Sequence, residues 1–235
     1  MKNSIGNKVK EIIDKKFEVT DITTIPDIDD SRLTFGNKGL RFTATTLYID
    51  MRGSTAVLNN HNRTTVSKLH KAYFHTIVTI ARSLGGEVRS FNGDGMLVFF
   101  QGTSKSTLSN AVQAAMMMKW MLSSNDSPVY KNMSKYSAVN FGIGIDYGKI
   151  LCSKVGISGV NNRDLIWVGN AVNRSVKIGD KLHGDIGISE VIYSNLEDKV
   201  KFHNNTDMWR CNSSGLTYNN KQENYYSTTY QWSVD

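Results

Sequence analysis

Apolar residues recur along this chain in two rhythms, one near 3.6 residues and one of two. The first begins at the N-terminus. Ile5, Val9, Ile12, Ile13 and Phe17, with lysines between them, predict an amphipathic helix over residues 4–18. Residues 20–38 break the rhythm with Pro26, the acids Asp27, Asp29 and Asp30, then Gly36. They read as a linker, so residues 1–38 are expected to be an arm and residues 39–235 the main domain. Arg41–Met51 is dense in β-branched and aromatic residues and predicts a central strand. Val66, Leu69, Tyr73, Ile77, Ile80 and Leu84 form one stripe of a helix over Arg63–Leu84, ended by Gly85-Gly86. Glu87–Phe91 and Met96–Phe100 flank Asn92-Gly93-Asp94-Gly95, a hairpin signal. A second helix over Ser104–Leu122 follows, then a polar loop over Ser123–Lys135. Ala138–Asp146 and Lys149–Val155 are expected to form a second hairpin. Gly169–Leu182 predicts a helix, Ile186–Ile188 a strand, and Ser189 the N-cap of a short helix. Residues 200–235 read as a β-rich, aromatic tail.

The order β-α-β-β-α-β predicts an α+β, ferredoxin-like domain, with helices on one face of a mostly antiparallel sheet and an open second face. Its 235 residues, 40% hydrophobic and 21% charged, suit one globular domain with an arm. No stretch approaches the ~18 apolar residues of a membrane helix. Met1–Lys16 is too polar for a secretory leader, so a cytoplasmic protein without membrane partners is expected. Cys152 and Cys211 read as reduced packing residues, and the histidines lack zinc-ligand spacing. The net charge of +7 suits a polyanionic partner. The lysines are scattered and no nucleic-acid motif accompanies them, so most read as solvated surface and no nucleic-acid partner is expected.

Two aspartates carry the candidate chemistry. Asp50 ends the apolar central strand, where a carboxylate is costly unless paired, metal-bound or used as a helix cap. Asp94 sits in the first hairpin, where turn propensity alone could account for it. In a ferredoxin-like sheet the two strands are neighbours, which brings the carboxylates together. Shared Mg²⁺ or Mn²⁺ ions would relieve their repulsion. Arg52-Gly53-Ser54-Thr55 follows Asp50 directly, and a glycine before a helix start can let backbone N–H groups hold phosphate. Asn173 and Lys177 share a helix face one turn apart, suited to a ribose and a charged phosphorus centre, or simply to a polar surface.

Asp50, Gly93-Asp94 and Gly169-Asn170-Ala171-Val172-Asn173 occur in the order and spacing of class III nucleotidyl cyclases, which residues 40–190 resemble. Gly144-Ile145-Asp146-Tyr147-Gly148 also resembles that family's Gly-Ile-x-x-Gly segment. The resemblance implies that Asp50, Asp94 and the Met51 carbonyl hold two divalent cations. It implies that Arg52 to Thr55 bind the triphosphate and that Asn173 orients the ribose. It also implies a head-to-tail homodimer with its active sites at the interface. Lys177 stands where the family usually has arginine, and Arg174 is a candidate to share its role. Ser90 and Ile166 stand at the family's base-selecting positions and match neither the adenine nor the guanine code; slippage by one residue to Arg89 or Leu165 restores neither. With Tyr48 two residues before Asp50, this pattern is most similar to the stand-alone pyrimidine cyclases of bacterial Pycsar anti-phage systems. That implies a cyclic UMP or cyclic CMP messenger, UTP favoured over CTP, read by a separate effector. The competing readings are an adenylyl cyclase with unusual base recognition, a degenerate nucleotide-binding dimerisation module and, more remotely, a palm-type polymerase or diguanylate cyclase.

Overall fold

The computed structural model describes residues 1–159 and 161–234. Asp235, the last residue of the predicted β-rich tail, lies outside the described residues. The elements, in order, are α1 (Lys2–Asp14), β1 (Glu18–Asp21), β2 (Lys38–Arg52), α2 (Ser54–Asn60), α3 (Arg63–Ser83), β3 (Gly86–Asn92), β4 (Gly95–Gln101), α4 (Lys105–Ser123) and α5 (Pro128–Met133). They continue with β5 (Asn140–Gly156), β6 (Arg163–Val168), α6 (Asn170–Gly179), β7 (Ile186–Ser189), α7 (Glu190–Ser194), α8 (Asp198–Lys201), β8 (Phe202–His203), β9 (Thr206–Asp207), β10 (Arg210–Tyr218) and β11 (Lys221–Thr228).

The main sheet runs β10-β11-β7-β5-β2-β4-β3, with β1 beside β2 and β6 beside β5. Its β2-α3-β3-β4-α4-β5 core has the expected ferredoxin-like order. The β5–β7 and β1–β2 pairs are parallel, while the other pairs of this sheet are antiparallel.

Alternation along each strand builds two faces. Leu47, Ile49 and Met51 of β2 and Phe141, Ile143 and Ile145 of β5 pack under α3 and α4 in the main core. Their neighbours Phe42 and Ala44 point the other way, with Leu97, Phe99, Ile150 and Cys152. The helix caps follow the sequence: Asn62 and Ser104 side chains accept the backbone N–H groups of Thr65 and Thr107.

The second face is only partly open, because α6 packs on it. Gly142 and Gly144 of β5 make this possible: a Cβ on either would collide with the carbonyls of Gly179 or Ser175. The segment expected to be a bare linker also covers this face, with Ile25 and Leu33 buried against Phe42 and Phe99.

Two further expectations need correction, and one strand was not expected at all. The predicted second hairpin over Ala138–Asp146 and Lys149–Val155 is one strand, β5, because it is laddered along β2 from Leu40↔Cys152 to Arg52↔Asn140 without a break. The polar loop over Ser123–Lys135 contains α5, started by Pro128 in its first turn and capped by Ser127. β6 is a strand the sequence reading missed.

Candidate active site

The site is assembled where β2 meets the β3–β4 turn. Asp50 pairs with Gly95 across the β2–β4 ladder, which seats it beside Asp94, the residue before Gly95. Gly93 takes φ 63° in that turn, a conformation that suits glycine. Gly95 is required for a second reason. A Cβ there would lie 2.7 Å from the Tyr48 hydroxyl and 3.0 Å from Asp50 Oδ1. The missing side chain leaves room for both functional groups. Burial raises the Asp50 pKa above the ordinary carboxylate value, and the charge of Asp94 raises it further, against the opposing charge of Arg52. Two neighbouring carboxylates in this corner form an all-oxygen donor set for a hard cation. Among the described residues no cluster of three or more His, Cys, Asp or Glu side chains is poised to hold a metal. A pair of carboxylates completed by phosphate oxygens is the arrangement Mg²⁺ commonly takes, so the residues present fit such ions.

Tyr48 lies on the same face two residues earlier. Its ring is close to Gly179 of α6, and burial, followed by the charge of Asp50, pushes its hydroxyl up to about 12. It is therefore a neutral phenol near pH 7. Tyr48, Leu97 and Ser90 occupy paired positions across β2, β4 and β3, so Ser90 belongs to the same surface.

Arg52 does not stand free for a triphosphate. Its Nη1 is 3.1 Å from Asp50 Oδ2, its Nη2 donates to the Gly179 carbonyl (2.5 Å), and its Nε donates to the Leu182 carbonyl (3.2 Å). Asp180 Oδ1 is a further 3.4 Å contact. The guanidinium thus ties the Asp50 strand to the last carbonyl of α6 and to that of Leu182 in the turn beyond it, a role the sequence reading missed. Gly53, at φ 71°, turns the chain into α2, and Ser54 and Thr55 form its first turn.

The remaining predicted residues divide. Asn173 and Lys177 are exposed on α6. Among the described residues neither makes a polar contact with Asp50 or Asp94; Lys177 Nζ reaches the Thr217 carbonyl at 3.4 Å. Arg174 is committed elsewhere. It forms a two-pronged pair with Glu223 (2.7 and 2.9 Å), stacks 4.5 Å above the Tyr218 ring and approaches Asp146 at 3.7 Å. Lys177 Nζ lies 5.7 Å from the centre of the same ring.

Ile166 also needs correction. It pairs with Ser153 and is 43% exposed on the surface away from Trp167, whereas Leu165 and Trp167 pack on the Tyr48 side. Strand alternation makes this unavoidable once β6 exists. Leu165, not Ile166, shares a cavity of about 470 Å³ with Ser90; Arg89 and Asp164 also line it. The apolar run Leu165-Ile166-Trp167-Val168 was the signal that could have revealed the strand.

The sequence profile described as the adenylate and guanylate cyclase catalytic domain matches residues 41–226. Over its full length the chain is 30% identical to a uridylate cyclase of Xanthomonas perforans, of which it covers 99%. It is 28% identical to a uridylate cyclase of Burkholderia cepacia, with 96% of both chains covered. The fold is similar to that of the adenylyl cyclase CyaB from P. aeruginosa, with a TM-score of 0.67 and 20% identity over 83% of this chain and 97% of that one.

Proposed function

The chain belongs to the adenylate and guanylate cyclase catalytic domain family and is a nucleotidyl cyclase; from that premise we propose that its substrate is a pyrimidine nucleoside triphosphate, UTP ahead of CTP, and its product the 3′,5′-cyclic monophosphate and pyrophosphate. The observation that carries the reading is the pairing of an intact carboxylate corner with a base side that has neither the adenine nor the guanine pair of the family at its aligned positions. Ser90 and Leu165 face the cavity without a charge of their own, and Arg89 beside them has its guanidinium on the Pro26 and Ile25 carbonyls and on Glu87. The relatives named as uridylate cyclases support the same base.

In the reaction the ribose 3′-oxygen bonds to the α-phosphorus while the bond from that phosphorus to the bridging oxygen of pyrophosphate breaks. The hydroxyl proton leaves to solvent. Two divalent cations, when bound, would supply charge neutralisation and activation of the attacking hydroxyl. Asp50, Asp94 and the Met51 carbonyl would hold them. The backbone from Gly53 to Thr55 would receive triphosphate oxygens, the amide of Asn173 would fix the ribose, and Lys177 would place its cation by the reacting phosphorus. Because Asn173 and Lys177 do not reach Asp50 within one chain, a head-to-tail homodimer would complete each site. A role in anti-phage defence, with a separate cyclic-nucleotide effector, rests on the resemblance alone.

The test is product formation from UTP with Mn²⁺ or Mg²⁺ by the wild-type chain and by Asp50→Ala and Asp94→Ala. Loss of several kcal/mol of charge stabilisation predicts a fall of at least about a thousandfold in each variant. Undiminished cyclic UMP synthesis by either variant would rule out the carboxylate pair as the cation site.

A further inference from the structure

We propose that the N-terminal segment 22–33 is a structural wall of the nucleobase site, and that Arg89 is the positioning residue that holds it there. This rests on the reading that the cavity beside Ser90 and Leu165 receives the base.

The cavity of about 470 Å³ is made by three pieces of chain. β3 supplies Arg89 and Ser90, β6 supplies Asp164 and Leu165, and the N-terminal segment supplies Asp27 and Ile28. The first two pieces are sheet strands. The third has no regular structure, so its position depends on what fixes it.

The fixing is specific. Arg89 Nε donates to the Pro26 carbonyl at 2.9 Å, and its Nη2 reaches the Ile25 carbonyl at 3.4 Å. The same guanidinium is paired with Glu87, which holds its plane. On the opposite rim Arg163 Nη2 is 3.1 Å from Asp29 Oδ1. Ile25 and Leu33 are only 7% and 3% exposed, buried in the apolar cluster that includes Phe42 and Phe99. Between these anchors the segment is braced internally. The Asp30 N–H donates to the Asp27 carbonyl at 3.2 Å, and Arg32 makes two hydrogen bonds to the Asp30 carboxylate at 2.9 and 2.7 Å. A polar, proline-containing stretch is thereby held as a shaped surface, with Ile28 facing the cavity.

This arrangement makes the N-terminal segment a determinant of base choice. A wall that is fixed limits the room beside Ser90, and a wall that is loose or trimmed admits a larger ring. Arg89 acts on backbone carbonyls of that wall, so its influence on the base is indirect.

The experiment uses the full chain as wild type, Arg89→Ala, Arg89→Lys and Ile28→Ala. Steady-state rates with UTP, CTP, ATP and GTP are measured together with Kd values for N-methylanthraniloyl-labelled UTP and ATP. One side-chain-sized change in a pocket alters discrimination by about tenfold. The expected result is a fall of that order in the pyrimidine-to-purine ratio for Arg89→Ala and Ile28→Ala, in KM and Kd and not in kcat. Lysine at 89, able to hold one carbonyl, should recover part of the ratio. Ile28→Ala deletes a half-buried side chain and keeps the test decisive if Arg89→Ala does not fold. Unchanged ratios in folded variants, or losses confined to kcat, overturn the proposal. A wild-type preference for a purine would overturn the proposed substrate instead; the shift in binding ratio in Ile28→Ala still decides the role of the wall.

Discussion

At the scale of single residues, Asp50 ends an apolar strand, where a carboxylate stands out from its surroundings. Ile166 was misplaced because a one-residue error in a strand inverts the face, and β6 had not been recognised. The role of Arg52 was hidden for a different reason: its partners, the Gly179 and Leu182 carbonyls, are far away in sequence and belong to backbone, which has no sequence signature. This clamp carries a prediction. Arg52→Ala removes charge-assisted hydrogen bonds in a part-buried setting; the Gly179 carbonyl keeps the Leu182 N–H, while the Leu182 carbonyl loses the Arg52 donor. It should lower stability by about 2 kcal/mol, read as a shift in urea midpoint at constant slope. Unchanged stability with a raised KM for UTP would instead make Arg52 a triphosphate ligand.

Among elements, the ferredoxin-like core could be read from the apolar stripe of α3, the apolar run of β4 and the turn signal between β3 and β4. What failed was continuity. Asp146-Tyr147-Gly148-Lys149 resembles a turn, yet the ladder with β2 carries β5 straight through it. The consequence is a carboxylate in the middle of a strand. Asp146 is 2% exposed, and burial raises its pKa to about 6, opposed by hydrogen bonds from Ser189 and the Tyr147 backbone and by the charge of Arg174. A folded-state pKa above the unfolded value means the folded protein binds the extra proton. The stability contributed by Asp146 is therefore fully present below the ordinary carboxylate range and is lost as pH rises from about 4 to about 6. Asp146→Asn should flatten this slope and gain on the order of 1–3 kcal/mol near neutral pH, as measured by denaturant titration at several pH values. A variant that is less stable than wild type near pH 7 would show that the Arg174 contact outweighs desolvation.

For the whole molecule, the sheet presents the carboxylate corner and the exposed face of α6 at separate places on one surface. A single chain therefore holds two incomplete halves of the proposed machinery. This predicts complementation: Asp50→Ala and Asn173→Ala, each inactive alone, should regain activity when mixed, because one interface then has both intact halves. No recovery on mixing, with dimers verified by sedimentation, would place the whole site in one chain. The N-terminal segment was read as a separate arm because its composition is that of a linker; its burial depends on Phe42, Phe99 and Trp167, which lie elsewhere in the chain. The central claim concerns the base, and the most direct test is competition. Wild-type protein is given equimolar UTP, CTP, ATP and GTP with Mn²⁺, and the cyclic products are quantified together. The account predicts a pyrimidine product, cyclic UMP ahead of cyclic CMP, in clear excess over both purine products. Cyclic AMP or cyclic GMP as the main product would contradict it.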